Sequence, residues 1–141
     1  MESKEESHMI RFAEEKDIDI LCENDKHVDR QEMLNLIGLK RVYIMEDSGK
    51  FIGWLRYNLF WDHIPFMNMI CLNDDSRGKG YGRQFVEFWE DEMRKLGYTK
   101  VMTSTASDEF AQHFYIKLGY STIGGFIPFG AKFEMMLAKK L

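Results

Sequence analysis

Between Arg41 and Leu72 the apolar residues gather in short β-branched and aromatic runs, whereas from Phe85 onward they fall three and four apart. The runs predict strands over Arg41 to Glu46, Phe51 to Trp61 and Phe66 to Leu72. Asp47-Ser48-Gly49-Lys50 has the composition of a hairpin turn, and Pro65 is expected to break the chain before the third strand. The three strands are therefore expected as antiparallel neighbours. Phe85, Phe88, Trp89, Met93 and Leu96 lie 3, 4, 8 and 11 residues from the first, one face of a helix. Arg94 and Lys95 suit its negative end, and Gly97 closes it.

Lys100 to Thr105 reads as the next strand, so Phe66 to Thr105 is strand, loop, helix, strand. Such a parallel crossover is expected to be right-handed. Glu109 to Leu118 predicts a second helix after Ser107 and Asp108, ended at Gly119. Two closing strands follow, near Tyr120 to Phe126 and Phe133 to Ala138. Upstream, Met9 to Ala13 predicts a short strand and Glu14 to Glu23 a helix, with Ile18 and Leu21 on one side. Asp29-Arg30-Gln31-Glu32 has the form of a capping box, followed by Met33, Leu34, Leu36 and Ile37, with Gly38 as the expected stop. The fold class is α/β: one domain, 9–141, built on a mixed, mostly antiparallel sheet with helices on both faces. Met1 to His8 is polar and acid-rich and reads as a disordered extension or a tag remnant.

Composition narrows the function classes. The 141 residues match one domain. A net charge of −4 with interspersed signs lacks the clustered positive surface that nucleic acid requires. No apolar stretch approaches the roughly 18 residues of a membrane span, and Met1 to His8 has no apolar signal core. The chain is expected to be cytoplasmic, without nucleic-acid or membrane partners. Ten methionines and 14% aromatic residues fit either a bulky core or an adaptable apolar pocket. Cys22 and Cys71 have no metal-ligand spacing, so no metal site is expected, and Cys71 within its apolar run reads as a buried free thiol.

The densest chemistry lies in Arg77-Gly78-Lys79-Gly80-Tyr81-Gly82. A Walker loop fails, because Tyr81-Gly82 follows Gly80 where Lys and Ser or Thr are needed. A dinucleotide fingerprint fails too: counting from Gly78 its third glycine is Arg83, and counting from Gly80 it is Phe85. The next strand also ends in Thr103-Ser104-Thr105, without the ribose-binding acid. What remains is a glycine loop feeding a helix. First-turn N–H groups and the helix dipole attract an anion, and glycine leaves the pyrophosphate room to approach them. Arg77, Lys79 and Arg83 add positive charge around it.

The loop resembles the acetyl-CoA-binding motif of the GCN5-related N-acetyltransferases, [Gln/Arg]-x-x-Gly-x-[Gly/Ala]. Met69-Ile70-Cys71-Leu72 precedes Arg77 by the interval of that family's central strand. Asp108 to Tyr120 is similar to its second signature, Asn-x-x-Ala-x-x-Phe-Tyr-x-x-Leu-Gly-Phe, with Asp108 in place of Asn. The resemblance implies acetyl-CoA as cosubstrate, held by Ile70, Cys71, Leu72, Arg77 to Arg83 (including Gly78, Lys79, Gly80, Tyr81 and Gly82), Asp108 and Tyr115. It implies direct attack of an amine on the thioester, with the Leu72 N–H stabilising the oxyanion and Tyr115 protonating the leaving thiolate. Read from spacing alone, Tyr115 shares a helical face with Ala111 and Leu118 and reads as a core residue; the motif match favours the catalytic role.

The family's usual pocket places acceptor binding on Tyr57, Phe60, Trp61, Phe126 and Phe129, aromatics that suit a primary amine on an apolar or planar small molecule. A protein or peptide acceptor and a non-catalytic acyl-CoA-binding regulatory domain are the alternatives. No general base stands out: Asp62, His63, Asp74, Asp75, Glu134 and a water chain all remain open, while His27 and His113 read as surface or packing residues. A homodimer is a further expectation.

Overall fold

The computed structural model describes residues 8–108 and 110–141. Of the expected extension, residues 1–7 lie outside the described part, and His8 already opens the first strand. The elements run β1 (His8–Phe12), α1 (Ile18–Asn24), α2 (Arg30–Gly38), β2 (Val42–Asp47), β3 (Lys50–Phe60), β4 (Ile64–Leu72), α3 (Tyr81–Lys95), β5 (Lys100–Ala106), α4 (Ala111–Lys117), β6 (Ser121–Phe126) and β7 (Glu134–Lys140). The strands form a seven-stranded sheet of order β1-β2-β3-β4-β5-β7-β6, mostly antiparallel, accompanied by four helices among the described residues. The chain divides into two compact units, the first comprising residues up to Asn58 with Met69–Phe85, the second Leu59–Asn68 with Val86–Leu141.

In the first unit, β1 and β3 pair antiparallel to β2. Ile52 to Tyr57 is buried without alternation, as expected of a strand covered on both faces. The core gathers Leu21, Met33, Leu36, Ile37, Val42, Ile44 and Trp54, with Met69 and Cys71 packed against it. The Cys71 thiol is half-buried rather than buried.

Several expected boundaries moved for local reasons. The helix expected from Glu14 starts at Ile18 after a single 3-10 turn, because Asp17 is claimed on both sides. Its carboxylate receives the Arg11 fork at 2.9 Å on each oxygen and the Glu14 N–H at 2.8 Å. Asp29 caps α2 as expected, accepting from the Glu32 N–H at 2.8 Å. Gly38, the expected stop, is instead the last helical residue. Lys40 takes the left-handed turn at φ 60°, and the Arg41 N–H reaches back to the Leu36 carbonyl at 2.9 Å to close the end.

The hairpin at Ser48-Gly49 has φ of 54° and 81°, the signs of a type I′ turn. A second turn of the same sign joins β3 to β4 at Trp61 (53°) and Asp62 (67°). The chain therefore reverses there, and Pro65 sits inside β4 instead of breaking the chain before it.

In the second unit, β4 pairs in parallel with β5 at Phe66 and Met67, and β7 runs antiparallel between β5 and β6. Val86, Trp89 and Met93 of α3 are fully buried, with Val101, Met102, Tyr115, Tyr120 and Leu137 also buried. Leu96 departs from the expected face and is 64% exposed, because the Tyr98 N–H bonds to Met93 and the helix has already ended beneath it. Burial of Met33, Met45, Met67, Met93 and Met102 assigns much of the methionine content to packing. The helix expected from Glu109 begins at Ala111, and Glu109 itself lies outside the described residues.

Candidate active site

The end of β4 is built by three contacts within the first unit. Asn73 ties it to β3, its N–H donating to the Ile52 carbonyl at 2.8 Å and its amide to the Phe51 carbonyl at 3.1 Å. Gly53 allows the approach: a Cβ there would lie 2.5 Å from the Cys71 oxygen and 2.6 Å from a Leu72 methyl. Arg77 then folds back, its Nε donating to the Leu72 carbonyl at 3.1 Å while Nη1 pairs with Asp74 at 3.2 Å. Neither Gly53 nor Asn73 stands out in the sequence reading. The available signal was a glycine inside a strand pattern, which marks a close backbone approach.

Beyond Arg77 the loop rises into α3. Gly78 and Gly80 have φ of 75° and 82°, where a side chain is strained, and the space a Cβ would take is open at both. Arg77 to Gly80 is exposed, as is Arg83 in the first turn of the helix. Positive side chains, bare glycines and the start of a fifteen-residue helix are what a pyrophosphate requires. The loop fits acetyl-CoA on this ground.

In the second unit, Tyr115 lies in α4 and is only 5% exposed. Phe114 meets its ring edge-on at 5.2 Å between centroids, and Tyr120 does so at 5.6 Å. Tyr120 donates its hydroxyl to the Glu90 carboxylate at 2.8 Å, and Lys139 donates to the other oxygen at 2.9 Å. Burial, together with the negative charge of Glu90, pushes the Tyr120 phenol well above its ordinary pKa. Glu90 and Lys139 were invisible as partners in the sequence. Asp108, which stands where the family has Asn, forms an ion pair with Lys132. The hydrogen bond from Lys132 holds its carboxyl below the ordinary range.

The aromatics expected to bind the acceptor fall in both units. Tyr57 is 4% exposed and stacks on Tyr43 at 6.5 Å, within the core of the first unit. Phe60 ends β3 and Trp61 begins the turn that leads into β4. There Phe60 and Trp61 line a groove of about 380 Å³ with Ile64, Met102, Ile123 and Met136. Phe126 and Phe129, at and beyond the end of β6, are exposed.

Among the titratable candidates, His63 Nδ1 lies 2.8 Å from the Trp61 carbonyl, inside the β3–β4 turn that also carries Asp62. Asp74 is engaged with Arg77, and Asp75 is exposed. Glu134, the first residue of β7, accepts the Ser104 hydroxyl at 2.7 Å and stands in register with Phe126. His113 is exposed on α4 and its ring lies 6.4 Å from Phe110, while the His27 N–H donates to Asp25. Among the described residues no cluster of His, Cys, Asp or Glu could hold a metal ion, and no helix is long and apolar enough to cross a membrane.

Solved structures share this fold. Ard1 from Thermoplasma volcanium superposes with a TM-score of 0.83 at 14% identity, covering 96% of this chain and 98% of that one. The paia N-acetyltransferase from Thermoplasma acidophilum, solved with coenzyme A, gives 0.81 at 15%, covering 96% and 99%. The ribosomal-protein-S18-alanine N-acetyltransferase from Escherichia coli gives 0.79 at 16%, covering 94% and 93%. The sequence profile of the Acetyltransferase (GNAT) family matches residues 8–120, in which both the glycine loop and the Tyr115 signature fall. The chain belongs to the GNAT family and is an N-acetyltransferase with acetyl-CoA as its cosubstrate.

Proposed function

We propose that this enzyme acetylates a primary amine carried on a small apolar or planar molecule, by direct attack of the amine on the thioester. The observation that carries this reading is the pairing of Phe126 with Glu134 across β6 and β7, with the Glu134 carboxylate oriented by Ser104. Directly paired residues of antiparallel strands project from the same face. A carboxylate beside an exposed ring recognises an ammonium group and the apolar body behind it, and Phe129 extends the apolar surface.

Acetyl-CoA supplies the activated acyl group, and the chain supplies position and protons. Its pyrophosphate rests on Arg77 to Arg83 at the start of α3, its pantetheine runs beside Ile70, Cys71 and Leu72, and Asp108 borders it. Glu134 takes one proton from the bound ammonium and passes it to solvent; the free amine nitrogen then bonds to the carbonyl carbon and gives its second proton to Glu134. The Leu72 N–H stabilises the negative oxygen. The carbon–sulfur bond breaks, and the Tyr115 phenol gives its proton to the departing thiolate, leaving an amide and free coenzyme A.

The test is thiol release from acetyl-CoA with three acceptors: 2-phenylethylamine, 1,4-diaminobutane and an alanine-started heptapeptide. 2-Phenylethylamine is expected to give the highest kcat/KM. Phe126→Ala is expected to raise its KM by roughly tenfold, about 1.4 kcal/mol, with the acetyl-CoA KM unchanged, whereas Glu134→Gln, which removes the proton acceptor, is expected to lower kcat by about 100-fold as well. A clear preference for the peptide overturns the small-molecule reading.

A further inference from the structure

Tyr120 touches Tyr115 twice and is itself held at its far end. Its N–H donates to the Tyr115 carbonyl at 3.1 Å, and the two rings meet edge-on at an interplanar angle of 65°. Its hydroxyl ends on Glu90, whose other oxygen is taken by Lys139, and the Lys139 ammonium lies 5.7 Å from the centroid of the Tyr120 ring. Three elements thus converge on one carboxylate: α3 brings Glu90, β7 brings Lys139, and the residue just before β6 brings Tyr120. Glu90 is 2% exposed, and an ionised group so buried is retained only with its partners in place.

We propose that Glu90 and Tyr120 are positioning residues, which lock the ring of Tyr115 in the orientation from which it delivers its proton. The Glu90 bond stops the Tyr120 ring from swinging, and the Tyr120 ring and N–H fix the last turn of α4, where Tyr115 sits. The proposal rests on the reading of Tyr115 as the proton donor to the thiolate.

The test compares Tyr120→Phe, Glu90→Ala and Glu90→Gln, each alone and combined with Tyr115→Phe. Turnover of acetyl-CoA with 2-phenylethylamine is measured, together with carbon NMR of the protein labelled at tyrosine Cζ, six sites in all. Tyr120→Phe and Glu90→Ala are expected to lower kcat by about five- to tenfold, with the acetyl-CoA KM within about twofold. Glu90→Gln, which keeps an oxygen for the Tyr120 hydroxyl, restores most of that loss. In the Tyr115→Phe background the same changes lower kcat no further. The Tyr115 resonance moves in both damaging variants, while those of Tyr43 and Tyr57 stay in place. An equal loss of kcat in the Tyr115→Phe background, or an unmoved Tyr115 resonance in the folded variants, overturns the proposal. Wild-type kcat in Tyr115→Phe refutes the assignment of Tyr115 and this proposal with it. Wild-type kcat in Tyr120→Phe beside a crippled Tyr115→Phe refutes this proposal alone.

Discussion

The side chain of Arg77 donates from Nε to the main-chain oxygen of Leu72 at 3.1 Å, closing the glycine loop back onto the strand that leads into it. Arg77 thereby has a structural task as well as a charge: it sets the orientation of the last peptide of β4. Arg77→Ala is expected to raise the acetyl-CoA KM about tenfold, and Arg77→Lys to recover only part of it, since an ammonium lacks the planar donor fork. Titration calorimetry with coenzyme A and initial-rate kinetics check both. Full recovery by lysine would reduce the role of Arg77 to charge alone.

Gly53 admits no side chain. The Cβ of alanine would collide with the Cys71 carbonyl and with Leu72, and main-chain atoms yield only by moving a strand. Gly53→Ala is expected to cost about 1–3 kcal/mol of folding free energy, the usual range for overpacking, and to raise the acetyl-CoA KM as the end of β4 shifts. Urea unfolding and kinetics on the same preparation separate the two effects.

Asp25 is a buried anion of the first unit, accepting from Trp54 Nε1 at 2.9 Å and Arg56 Nε at 2.7 Å. Burial opposes its charge, but the bonds from Arg56, Trp54 and the His27 N–H outweigh that and leave its carboxyl below the ordinary value of 3.8. A lowered carboxyl pKa stabilises the fold at pH above the unfolded value, and that stability drains away as pH falls through the folded one. The loss is therefore expected below about pH 4. Asp25→Asn strands the Arg56 guanidinium and is expected to cost about 3 kcal/mol at neutral pH, with a flatter stability curve between pH 5 and 3. Chemical denaturation across that range measures both.

Tyr115→Phe removes the phenol without removing the ring. If the phenol is the acid, kcat falls about 100-fold while coenzyme A binding changes less than twofold. Trp61→Ala probes the acceptor side: Trp61 is 74% exposed in the turn that opens β4, and its removal is expected to raise the acceptor KM by roughly tenfold, with the acetyl-CoA KM unchanged. An unchanged acceptor KM would remove Trp61 from the acceptor site.

The sequence by itself determined the order of elements, most of the buried face of α3, the Asp29 cap, the Ser48-Gly49 turn and the glycine loop that leads into α3. Each depends on backbone geometry or periodicity within a few residues, so each is written locally. The same locality misled at Gly38 and Pro65, where the expected punctuation lay one or a few residues from the bond that ended or turned the chain. Only the tertiary structure decided what the glycine loop and Tyr115 rest on. Gly53 matters because another strand's carbonyl lies against it. Glu90 meets Tyr120 and Lys139 across 30 and 49 residues, and Asp25 meets Arg56 across 31. Such partners are chosen by packing and the need to neutralise a buried charge, and neither leaves a period or a motif in the chain.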